Sequence, residues 1–153
     1  MKNRYFPEET VSFNDLYFVC YMIERVARKL KQSNSYVVNT IGTENFVHLI
    51  SCAQTLHCLN PLQVEDDWIR DYDLKKGSFD VTSVDYNLCP EIPSETQMGK
   101  VYARLIDSVT KDYVEGIQKV YNSDICKTID NYNASAYYEP SYVITRAYFD
   151  GSF

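Results

Sequence analysis

Between Phe13 and Lys31, the apolar side chains Leu16, Val19, Cys20, Ile23, Val26, Ala27 and Leu30 recur every three or four positions, which places them on one face of a helix. Ser12 and Asp15 frame its start as a capping box. Arg28, Lys29 and Lys31 crowd its end, where cations complement the helix dipole. The pattern then predicts a short helix from Ser35 to Ile41, stopped at Gly42. Thr43 reads as the N-cap of the next helix, with Glu44 in its first turn and a stripe of Phe46, Leu49, Ile50, Ala53 and Leu56. Asn60-Pro61 opens another, with proline at the first helical position and Gln63 completing a box with Asn60. Val64, Trp68, Ile69 and Tyr72 are its expected buried members.

The period is lost from Lys75 to Pro93, where Gly77, Pro90 and Pro93 punctuate the chain. Phe79 and Val81 alternate with polar residues, as do Val84, Tyr86 and Leu88, so one short β element is expected within Gly77–Leu88. Helical spacing resumes with Ser94 and Gln97 as a box before Met98, Val101, Tyr102, Leu105 and Val109. Tyr113, Ile117, Val120 and Tyr121 mark a further helix. Ser123 is expected to cap a short one through Ile125, Cys126 and Ile129, and Pro140 to open a last one with Val143, Ile144, Ala147 and Tyr148, ended by Gly151. The expected fold is an all-α single compact multi-helix domain over residues 1–153, with two helical subdomains, 12–74 and 94–151, joined by 75–93 as the alternative.

Composition adds little to the fold and more to the surface. The chain holds 14 Tyr and 7 Phe, residues that dominate cores and interfaces. Its net charge is −6, and residues 77–153 carry 6 basic against 11 acidic side chains, a net of −5. That balance disfavours nucleic acid, whose phosphates need Lys and Arg, and suits a basic protein partner. The polar stretch Met1 to Val11 lacks the apolar core of a signal peptide, and no apolar run reaches membrane-spanning length, so a cytoplasmic protein without a membrane is expected. Five cysteines without Cys-x-x-Cys spacing read as reduced thiols, three of them (Cys20, Cys52 and Cys126) inside helical apolar patterns.

Chemistry-bearing residues are sparse. His48 and Cys52, four apart, share a helix face and form the minimum of an activated thiol or half of a metal site, against the plainer reading of a packed thiol beside a surface histidine. His57 reads as a helix-ending imidazole. Asp66 and Asp67 crowd a helix start, where acids are favourable, and Asp66 is spaced to pair with Arg70. Asp67 and Asp71 alone make a weak cation site. His57, Asp66 and Asp67 are the catalytic candidates should the chain be an enzyme. Tyr137, Tyr138, Tyr142 and Tyr148 form the clearest compositional feature: either a C-terminal segment closing over the core or a partner surface. Phosphate-binding glycine loops, nucleophile elbows and zinc-protease motifs are absent, and neither cofactor nor metal is expected.

The run Phe18-Val19-Cys20-Tyr21-Met22-Ile23-Glu24, the later Leu56-His57 and the acidic helix Val64-Glu65-Asp66-Asp67-Trp68-Ile69 give residues 15–74 a resemblance to a family of short helical bacterial proteins of unknown function, encoded beside ADP-ribosyltransferase-like toxins. Cys58 departs from that family, which carries Thr after Leu-His, and the chain from Lys75 on has no counterpart in it. The resemblance implies a non-enzymatic protein-interaction component of a toxin–antitoxin or phage-defence cassette, with a cognate toxin as partner and a homodimer as a further option. Two alternatives stand beside it: a small toxin-like enzyme acting on nucleotide or nucleic acid, and an acidic mimic that occupies a nucleic-acid-binding protein.

Overall fold

Ser12 accepts a hydrogen bond from the Asp15 amide while the Asp15 carboxylate accepts one from the Ser12 amide, so the expected capping box starts α1, Phe13–Leu30. Lys31, in the left-handed conformation, ends it. The chain continues through α2 (Asn34–Ile41), α3 (Thr43–Ser51), α4 (Ala53–Leu56), α5 (Pro61–Asp71), α6 (Glu95–Val109), α7 (Tyr113–Tyr121), α8 (Asp124–Ile129), two single-turn 3-10 helices (Tyr132–Ala134 and Ala136–Tyr138) and α9 (Ser141–Asp150). This computed structural model describes residues 1–153 and contains no strand, so the protein is all-α.

Helix ends depart from the sequence expectation in instructive ways. Ser33 caps α2 by accepting from the Tyr36 amide, and Gly42, at φ 83°, separates α2 from α3. Thr43 is therefore the first helical residue and makes no cap bond. Asn60 accepts from the Leu62 amide, and the Gln63 side chain turns instead to Asp67. The stripe from Phe46 to Leu56 is not one helix. Asn3, buried at the N-terminus, donates from Nδ2 to the Ser51 carbonyl at 2.9 Å, and the Thr55 amide turns to Cys52. A side chain inserted into the helical ladder breaks it there.

The expected β element does not form. Residues 75–93 run as an irregular strap with turns at 81–82 and 86–88, and the backbone of its first residues pairs with a helix end. Gly77 and Phe79 donate their amides to the carbonyls of Leu30 and Lys31 at 2.8 and 2.9 Å. Those carbonyls end α1 and need outside donors. A strand requires a second extended segment alongside, and none lies here.

α1 is the central helix. It packs most extensively along α6 and also touches α2, α3, α4 and α5. Gly99 of α6 sits where a Cβ would lie 2.9 Å from the Tyr21 Cα of α1, so its missing side chain allows the two axes to approach. α7 joins α6 to α2 and α3, and α9 closes over α6. One cluster of 38 buried apolar residues runs from Val11 to Ala147 through both halves of the sequence. The halves 12–74 and 94–151 therefore share one core instead of forming separate subdomains.

Candidate functional site

Glu24 lies on the apolar stripe of α1 and is 1% exposed. A buried carboxylate is costly unless it is hydrogen-bonded and paired. Its Oε1 accepts from the Tyr132 hydroxyl at 2.7 Å and from Arg28 Nε at 3.2 Å, and its Oε2 accepts from Asn34 Nδ2 at 2.8 Å. The same Asn34 nitrogen donates to Asp130 Oδ2 at 3.1 Å and so bridges two carboxylates. Tyr102 donates to Asp130 Oδ1 at 2.6 Å, and the Cys126 thiol donates to its Oδ2 at 3.5 Å. Arg28 also donates to the Tyr132 hydroxyl and to the Pro93 carbonyl, which ties the strap to this cluster.

The cluster holds two acids and one base, and the charge is unevenly shared. Arg28 pairs with Glu24, while no cation touches Asp130. Burial, and then the Glu24 charge, push the Asp130 carboxyl up to about 7. Burial and then Asp130 hold the Tyr102 hydroxyl and the Cys126 thiol well above their ordinary values. The Tyr132 hydroxyl is raised by burial and then by Glu24. Cys126 is therefore a neutral hydrogen-bonding thiol, not a nucleophile.

Asp130, Cys126 and Tyr132 also line a cavity of about 580 Å³ between the start of α2, the turn from α7 to α8 and the strap. Ser33, Phe79 and Tyr121 form further parts of its wall. This size suits a small ligand.

The residues singled out from sequence lie elsewhere. His57 is exposed, and its ring stacks on Phe18 with centroids 5.1 Å apart, so it covers apolar surface. Asp66 pairs with Lys29 across from α1 at 2.9 Å and not with Arg70. Arg70 sits between Asp67 and Asp71 and pairs with both, so the two acids share one base. The cysteine Sγ of Cys52 is 4.0 Å from either ring nitrogen of His48. Burial, and then Glu9, hold that thiol above its usual range, the opposite of activation. No three His, Cys, Asp or Glu side chains converge as a metal site would require.

The tyrosines divide. Tyr137 is 5% exposed, packs edge-on against Tyr132 and holds its hydroxyl 3.9 Å from the Cys89 thiol, so it belongs to the core. Tyr148 is half-buried. Tyr138 and Tyr142 are 68% and 67% exposed, as are Phe149 at 68% and Phe153 at 48%. Sequence reasoning missed the Glu24–Asp130 cluster. One signal was present: Glu24 follows Cys20 by four and precedes Ala27 by three, an acid on an otherwise apolar stripe.

Fold and site together define an all-α protein with a polar network buried beneath a polar cavity, and a separate exposed aromatic face at its C-terminal helix. In comparisons with protein-family models, curated proteins and solved structures, nothing matches this chain.

Proposed function

We propose that this protein is a non-catalytic interaction module that docks a basic protein partner through its C-terminal aromatic face. The observation that carries this reading is the exposure of Tyr138, Tyr142, Phe149 and Phe153 within sixteen residues of chain. Tyr142, Arg146 and Phe149 follow one another at four and three residues and so share a face of α9. Arg146 lies over the Tyr142 ring at 6.0 Å. Aromatic residues and arginine are the side chains most enriched at interface centres. The charge of −6 selects the occupant, since it attracts a basic partner and repels a second copy of the chain. The resemblance of residues 15–74 makes the toxin of a bacterial toxin–antitoxin or phage-defence cassette the first partner to test. In that arrangement, α9 lies outside the resembling segment and would supply the specificity of this chain.

The test is calorimetry on the purified complex with a partner recovered from the native host and identified by mass spectrometry. Tyr138→Ala with Tyr142→Ala should weaken binding by roughly tenfold or more, about 1.4 kcal/mol, with an unchanged circular dichroism spectrum. Affinity should also fall as salt rises. Unchanged affinity in the double variant removes the surface assignment, and a partner of acidic composition removes the charge argument.

A further inference from the structure

The cavity beside Asp130 has a charge balance that none of its own residues completes. Among its lining side chains, Asp80 and Asp130 are acidic and the exposed Lys127 is the sole cation. Behind the wall, Glu24 already has Arg28 as its partner. The groups on Asp130 from every neighbouring element are neutral donors: Asn34 of α2, Tyr102 of α6 and Cys126 of α8. Tyr121 of α7 also lines the cavity. It is 1% exposed, and its hydroxyl is buried beside the Cys20 thiol in the core, so its ring is what it lends to the wall. The remaining wall is mostly hydroxyl and amide side chains, with the aromatic rings of Phe79, Tyr121 and Tyr132.

Asp130 is half-buried, and a half-buried carboxylate whose partners are all neutral lacks a counter-charge that a cation placed in the adjoining cavity would supply. An ammonium group takes carboxylate and hydroxyl acceptors through its N–H donors and is attracted to aromatic faces. A metal ion is a poorer occupant, because no third acidic, histidine or cysteine ligand converges here. From the uncompensated Asp130 carboxylate at the edge of this aromatic and polar cavity, we infer that the cavity is a binding site for a small organic ammonium ion, with Asp130 as its counter-ion. The site lies apart from the aromatic face of α9 and does not depend on a partner at that face.

Thermal unfolding of the full chain at pH 8, where Asp130 is ionised, with 1,4-diaminobutane, against 1,4-butanediol as its neutral counterpart and sodium chloride at equal ionic strength, tests the site. The diamine at about ten times its Kd should raise Tm by roughly 3–6 °C, while diol and salt leave it unchanged. Titration calorimetry should show the diamine bound roughly tenfold or more weakly by Asp130→Asn. A second variant, Ser35→Phe, places a ring at the partly exposed rim of the cavity without touching the buried cluster, and it should abolish binding while the protein stays folded. Equal stabilisation by the diol or by salt overturns the proposal. So does diamine affinity that survives both substitutions.

Discussion

Asp130 shows how far the surroundings of one side chain can move its chemistry. Its carboxyl is raised from 3.8 to about 7 by burial and by the Glu24 charge, while Tyr102, Cys126 and Asn34 pull it the other way by hydrogen bonding. Between these two values, the folded protein holds a proton at Asp130 that the unfolded chain has released. Stability from this group is therefore full below about pH 4 and is lost as pH rises through about 7. The midpoint of urea unfolding should decline between about pH 4 and 7, and Asp130→Asn, which cannot ionise, should flatten that decline. A decline of equal slope in the variant would assign the pH dependence to other groups. The same reasoning separates residue types that look alike in sequence. Cys52, at the break between α3 and α4, and Cys126, on α8, are both thiols beside a polar group, and both are held in the neutral form. Cys52 is governed by partial burial and Glu9, and Cys126 by deep burial and Asp130.

At the scale of elements, the contact between α1 and α6 organises the molecule. It rests on Gly99, whose absent Cβ leaves room for the Tyr21 backbone. Gly99→Ala would place a carbon 2.9 Å from the Tyr21 Cα, and backbone cannot yield as a flexible side chain can. Overpacking of this kind costs roughly 1–3 kcal/mol, more than the gain in helix propensity on replacing Gly by Ala, about 1 kcal/mol. Urea unfolding of Gly99→Ala should show a lower midpoint at unchanged m-value. A midpoint at or above the parent would mean that α1 and α6 are not in close contact at this point. The strap makes a related point. It was expected to hold a β element because Phe79, Val81, Val84, Tyr86 and Leu88 alternate, yet its amides pair with the carbonyls at the end of α1. Alternation alone proved misleading, since Phe79, Tyr86 and Leu88 stay exposed and only Val81 and Val84 are partly covered.

At the scale of the whole molecule, the single core of 38 apolar residues predicts one cooperative transition. Unfolding followed by circular dichroism and by Trp68 fluorescence should coincide, because Trp68 belongs to the same cluster as Met98 and Ile117. A fragment ending at Leu74 leaves bare the α1 face that α6 covers, and it should bind a hydrophobic dye and unfold without a cooperative step. Two separated transitions in the full chain would restore the division at residues 75–93. The molecule carries no helix long and apolar enough to cross a membrane.

Local patterns carried the helices, because the period of apolar residues and the side chains that cap helix ends act within a few residues of one another. Ser12 with Asp15, Pro61 at the start of α5 and Gly151 after α9 fall where the sequence put them. The α3 break was illegible, since Asn3 reaches Ser51 from 48 residues away. The same limit hid the candidate site. Tyr132 meets Glu24 across 108 positions and Asp130 meets Asn34 across 96, and no spacing along the chain encodes such a meeting. The tyrosines of the C-terminal segment were visible as a group, but only packing decided that Tyr137 belongs inside while Tyr138 and Tyr142 face solvent. Composition and period thus determine which segments are helices and which faces seek cover. Tertiary packing decides which acid is left without a counter-charge and which aromatic stays exposed, because burial and Coulomb energy depend on neighbours in space.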